Sequence, residues 1–154
     1  MSNRYLVICS VVERNIDGHQ KRELENRISA LYKMHIGKFS KPTVVWVEIP
    51  ASQAYLDGKA SKASTVLTSV PNELEPCHRS DFLYDIRDLW MSVTHCARNE
   101  LVISAPDQTL AKQFLGANRE RVGVFHRPVM TLKLIYRALS SKLLRGRIET
   151  SINL

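Results

Sequence analysis

RYLVICSVVERNIDGHQKRELENRISALYKMHIGKFSKPTVVWVEIP, residues 4–50, is the stretch whose reading decides the fold. It opens on a β-rich apolar run, Arg4–Val12, of the kind that builds a buried strand. From Asp17 the period changes. Leu24, Ile28, Leu31 and His35 follow one another at spacings of four, three and four, which places them on one face of a helix over 17–36. Asp17 suits the N-cap and Gly37 a stop. A second strand over 43–49 lies between Pro42 and Pro50. Strand, helix of about five turns and strand together make a βαβ unit.

The same pattern recurs downstream. ASTVLTSVP holds a strand over 64–70, and HRSDFLYDIRDLWMSVTHCA a helix over 79–96 with Phe82, Ile86, Leu89 and Val93 on one face. NELVISAP holds a strand over 100–105. Right-handed crossovers put both helices on one face of a four-stranded sheet. Pairs are expected to be parallel within each unit and antiparallel between units. The expected fold class is α+β. Its other face, alternate residues of YLVICSVV, VVWVEI, TVLTSV and LVISA, needs cover from another subunit. DQTLAKQFLGANRERVG reads as a short helix and loop, RPVMTLKLIYRALSSKLLRGR as a last helix, and IETSINL as an irregular end. The body is thus 1–125 and the basic tail 126–154. Val129, Leu132, Ile135, Leu139 and Leu143 form the tail's apolar stripe, which is expected to dock on the body or on a neighbouring subunit.

Composition narrows the function classes. No apolar stretch approaches the ~18 residues a membrane span needs, and no secretory signal is read at the start. Cys9, Cys77 and Cys96 are an odd count without a Cys-x-x-Cys pair, which fits a reducing cytoplasm rather than a disulfide framework. The net charge is +7. Most of it sits in the tail, where Arg127, Lys133, Arg137, Lys142, Arg145 and Arg147 face only Glu149. That tail has a single aromatic, Tyr136. Charge alone is non-specific, so neither nucleic acid nor an anionic membrane is the expected partner. His19, His35, His78, His95 and His126 are scattered. There is no P-loop, paired carboxylate, Ser-His-Asp order or metal spacing, so no metal and no cofactor is expected.

RYLVICS, ISALY, PTVVWVEIPASQAYLDGK, HRSDF and ELVISAPD together resemble the tautomerase superfamily, in its double-length cis-3-chloroacrylic acid dehalogenase-like branch, over residues 3 to about 123. The resemblance implies two βαβ units per chain and a homotrimer whose sheets surround a central axis. It also implies cofactor-independent chemistry on small keto, enol or unsaturated carboxylic acids, with an N-terminal proline as base or electrophile. Here the proline's place falls near Asn3, preceded by Met1 and Ser2, so the group the chemistry relies on is missing. A primary α-amine, with a pKa of about 7.7–8.0, is what the region offers instead.

Other site residues follow from the same resemblance. A pocket His at the end of the first helix is matched by Tyr32, for which packing is the competing role. His35, a turn on, reads as packed or capping. Arg79 matches a carboxylate-binding arginine, with His78 beside it; the second arginine would fall in PNELEP, which has no base. Ser104 stands where the dehalogenases carry a Tyr. Asp107 falls close to a family acid but also suits a turn. The later general acid would fall near Phe114–Leu115, where there is no carboxylate. Lys59 and Lys62 lie at the pocket rim or in a solvated loop. The expected pocket gathers Met1, Ser2, Asn3, Tyr32, Arg79, His78 and Ser104. The expected activity is weak tautomerisation. The alternative is a pseudoenzyme of the same fold with a binding or structural role.

Overall fold

The computed structural model describes residues 3–120 and 127–151. The first strand, β1 (Asn3–Val12), leads into helix α1 (Gly18–His35) and returns as β2 (Ser40–Ile49). β1 and β2 are parallel from Asn3↔Ser40 to Val12↔Ile49. A small hairpin follows, β3 (Tyr55–Leu56) with β4 (Lys59–Ala60). The second unit is β5 (Ser64–Thr68), α2 (Pro76–Thr94) and β6 (Leu101–Ser104), with β5 and β6 parallel. β5 pairs antiparallel with β1, Val7 opposite Thr68. The pairing pattern between and within units is as expected.

Local chemistry explains the helix ends. The Asp17 carboxylate accepts from the N–H of His19 at 2.7 Å and of Gln20 at 2.8 Å, and the Gln20 side chain accepts from the Asp17 N–H at 3.0 Å. This capping box satisfies two orphan donors of the first turn. The backbone hydrogen bond from Gln20 chiefly holds the Asp17 carboxyl below its usual range. α1 stops at Gly37, whose φ of +139° is open to glycine alone. α2 begins at Pro76, three residues earlier than expected, because proline is pre-set for a first helical turn.

α1 and α2 pack side by side on one face of the sheet. Tyr5, Val7, Cys9, Trp46 and Val66 of the strands meet Leu24, Ile28, Tyr32, Phe82, Ile86 and Trp90 of the helices. The buried stripe of α1 is Lys21, Leu24, Ile28 and Tyr32. It is turned from the expected one, leaving Leu31 and His35 only half-buried. On the opposite face Val45, Ile8, Leu67 and Ser104 lie abreast across four strands, and Val102 is 55% exposed.

Two features depart from the sequence reading, and a third bears on one of its two alternatives. Among the described residues the sheet has five strands, ordered β6-β5-β1-β2-β7. Helices α3 (Gln108–Glu120) and α4 (Arg127–Arg145) precede β7 (Ile148–Ser151), which runs parallel to β2 and lies within the segment expected to be irregular. β7 holds because Glu149, buried in the sheet, pairs with Lys21, itself 3% exposed, and with Arg145 at 2.6 Å. Lys21 also reaches Glu48 at 2.8 Å. Next, the β3–β4 hairpin turns through Asp57 and Gly58 at positive φ. Asp-Gly is a hairpin signal that the loop reading of DGKASKAS passed over. Finally, the stripe of α4 does not dock on its own body: Leu132, Ile135, Leu139 and Leu143 are all exposed. Val129's side chain lies outside the described residues.

Candidate functional site

The start of β1 opens on a groove of about 320 Å³ lined by Arg4, Tyr5, Leu6, Thr43, Ser69, Gln108, Ala111 and Lys112. Strand alternation sends Tyr5 into the core and leaves Arg4 and Leu6 on the other face. β5 ends beside this mouth. There the Ser69 hydroxyl accepts from the Leu6 N–H at 2.8 Å and donates to the Leu6 carbonyl at 3.0 Å. α3 forms the remaining wall. Its first turn is held by Asn72, which accepts from the Thr109 N–H at 3.1 Å and donates to the Thr109 hydroxyl at 2.7 Å. Gln108 donates to the Arg4 carbonyl at 2.8 Å. Arg4 and Lys112 are exposed, and neither has an ion-pair partner among the described residues. The groove therefore presents two free cations beside an apolar wall, which suits a small anion with an apolar body.

Met1 and Ser2 lie outside the described residues, as does the side chain of Asn3. The Asn3 backbone starts β1. Tyr32 lies beneath the groove rather than in it. It is fully buried between Tyr5 and Phe82, at centroid distances of 5.4 and 5.1 Å. Its hydroxyl donates to the Ser69 carbonyl at 2.7 Å, and burial pushes its phenol far above the ordinary range. It supports the residue that lines the groove. His35 packs against Phe82 and meets Asp85 at 2.7 Å.

Arg79 is spent on the frame. One terminal nitrogen donates to the Ala105 carbonyl at 3.0 Å, the other to the Leu74 carbonyl at 3.3 Å and to Asp107 at 2.6 Å. These bonds tie the β5–α2 loop to the β6–α3 turn and also occupy Asp107. His78 sits at the exposed start of α2, 3.6 Å from Glu75. With Cys77 these make a set of three donors whose ligand atoms lie within 4.8 Å of one another, a cluster the spacing analysis did not single out. Ser104 is exposed on the bare sheet face. It lines a second groove of about 460 Å³ with Leu67, Ala105, Pro106, Leu110 and Ala111. Ala111 is common to both grooves, so α3 stands between Ser104 and the mouth of β1. Phe114 and Leu115 have no described side chains. Lys62 lines a groove with Val12, Glu13 and Arg14 at the far end of β1, about 30 Å from Asn3 along an extended strand. Lys59 sits on the exposed hairpin.

The groove residues that sequence reading missed are Arg4, Ser69, Gln108 and Lys112. A signal existed for two of them. Gln108, Ala111 and Lys112 stand at i, i+3 and i+4, one face of the helix after the last strand of the second unit.

The fold is that of the tautomerase superfamily. Among similar solved structures is native Ps01740, at 20% identity and a TM-score of 0.62, with 66% of this chain and 92% of that chain covered. N1, a member of the cis-3-chloroacrylic acid dehalogenase family, is 13% identical with a TM-score of 0.59, over 68% of this chain and 74% of that one. A fused 4-OT that forms a symmetric trimer is 10% identical with a TM-score of 0.58, over 66% and 84%. No family model matches the chain, and no curated protein matches it.

Proposed function

We propose that this is a tautomerase-superfamily protein whose groove at the mouth of β1 holds a small enol, keto or unsaturated carboxylic acid. Its turnover is weak, cofactor-independent and of the tautomerase type. The observation that carries this is the pair of unpartnered cations, Arg4 and Lys112, beside the start of the first strand. They supply carboxylate recognition at the strand mouth, whereas Arg79 makes three hydrogen bonds to the frame. The terminal amine is the proton-transfer group: it takes the enol proton as base and returns it to carbon as the ketone forms. A primary amine is ionised in large part at neutral pH, so little free base is present.

The assembly that goes with this reading is a homotrimer. The trimeric fused 4-OT of the same fold supports it, as does the uncovered sheet face. The three free cysteines favour a reducing, cytoplasmic setting.

The test follows ketonisation of phenylenolpyruvate. Slow turnover above buffer is expected, with KM raised about twofold to fivefold in Arg4→Ala and in Lys112→Ala, the cost of losing one exposed ion pair. Acetylation of the terminal amine is expected to remove turnover while leaving binding intact. Rates equal to buffer sink the catalytic part. A non-catalytic binding role is the second reading. It is favoured by the engagement of Tyr32, Arg79 and Asp107 in structural bonds, and carboxylate binding without turnover in the same titration would establish it.

A further inference from the structure

We propose that α4 of one copy lies in the groove between α1 and α2 of a second copy. The inference rests on the trimer reading above and names a contact that reading does not contain. α4 is mounted with its polar side toward its own body. The Ser141 hydroxyl accepts from the Glu149 N–H at 3.0 Å, and Arg145 pairs with Glu149 at 2.6 Å. The apolar ridge points away from that body. Leu132 is 67% exposed, Ile135 50%, Tyr136 74%, Leu139 57% and Leu143 86%. The ridge runs at spacings of three, four and four and extends over about 16 Å. Lys133 and Lys142 flank it on either side, and α4 has no acidic residue.

The receptor has the complementary form. Between α1 and α2 lies a groove of about 430 Å³ lined by Ala30, Leu31 and Leu89, with Ser92, Arg27, Asp85 and Asp88 around them; Asp85 also meets His35 and Asp88 meets Arg87, each at 2.7 Å. No described residue of the chain's own α4 lines it, and α4 packs on β7 at the sheet edge beyond β2. An apolar ridge with lysine flanks fits an apolar groove whose charged lining holds two aspartates against one arginine, Arg27, the usual mode for a helix seated between two others. The contact uses different surfaces on the two copies. Such head-to-tail contacts close only as rings, and three copies suit the trimer.

Two variants test it by light scattering over a dilution series. Leu139→Asp with Leu143→Asp alters the ridge, and Ala30→Arg adds bulk and like charge to the groove at an exposed position. Each is expected to raise the concentration of half-dissociation about tenfold or more. The combination is expected to do little more than the stronger alone, since both break one contact. A cross-link joining Leu139→Cys on one chain to Ala30→Cys on another, in a Cys77→Ser background, would place the contact directly. Undiminished assembly in both variants overturns the proposal, as does a ridge effect without a groove effect. Flotation of the intact trimer with phosphatidylserine vesicles, lost only in the ridge variant, would assign α4 to a lipid surface instead and also overturn it. Ile8→Asp, on the bare sheet face, probes the trimer alone. If it dissociates the assembly while Ala30→Arg does not, the trimer stands and this contact falls. A wild-type mass of one chain ends both.

Discussion

Tyr32 brings one hydroxyl into an apolar core and gives it one acceptor, the Ser69 carbonyl. Tyr32→Phe removes the donor and leaves that buried carbonyl without this bond, a cost of about 1–2 kcal/mol. We expect that loss in urea unfolding, with ketonisation rates changed less than twofold; a hundredfold kinetic loss at unchanged stability would return Tyr32 to the chemistry. The residue was legible in the sequence as the end of the first helix, but not its facing. Leu31 and Tyr32 differ by about 100° around a helix, and the hydrophobic pattern chose Leu31 while the core took Tyr32. Arg79 was legible as a cation at a helix start. Its acceptors Ala105 and Asp107 arrive from a turn 26 and 28 residues away, which no local pattern announces.

At the scale of elements, β7 depends on a buried ionic cluster. Burial alone would raise the Glu149 carboxyl, but hydrogen bonds from Lys21 and Arg145 outweigh it and hold the group at about 2. An unfolded glutamate titrates at about 4.3. The folded value is the lower one, so the stabilisation is complete above about pH 4.5 and is lost as pH falls toward 2. Amide protection at Ile148–Thr150, taken relative to the intrinsic exchange rate at each pH, should therefore fall through that window, before the central strands open. If β1 and β7 lose protection together, the cluster is not what holds β7. Lys21→Ala leaves Glu149 buried with one cation fewer, and should cost about 3 kcal/mol. The two βαβ units were legible because each element carries its own period and caps. β7 was not: Ile148 is the only large apolar residue in it, and its pairing comes from partners more than a hundred positions earlier in the chain.

At the scale of the molecule, the bare face is the dominant unmet demand. Ile8, Val45 and Leu67 form an apolar row across three strands. A few hundred Å² of such surface at about 25 cal/mol per Å² is worth several kcal/mol to each subunit on association. Light scattering should return three chains of 17.6 kDa; a stable monomer at micromolar concentration would contradict that. The bareness itself was readable from alternation in four strands. The place of the candidate groove was not, because Arg4, Ser69 and Lys112 converge only once α3 swings over the strand ends.

The position of β7 at the far edge, next to β2, has a consequence for how the chain is made. On a ribosome, β2 is finished about 100 residues before β7 begins. At about 5–20 residues per second its outer edge waits roughly 5–20 s for its cover. An unpaired edge of that kind can recruit a strand from another nascent chain. Pro42 and the exposed Lys41 stand near the start of that edge, where a missing N–H and a charge blunt such recruitment. The stretch they leave open, Val45–Glu48, is the one β7 finally occupies. β7 is thus made long after the strand whose edge it protects.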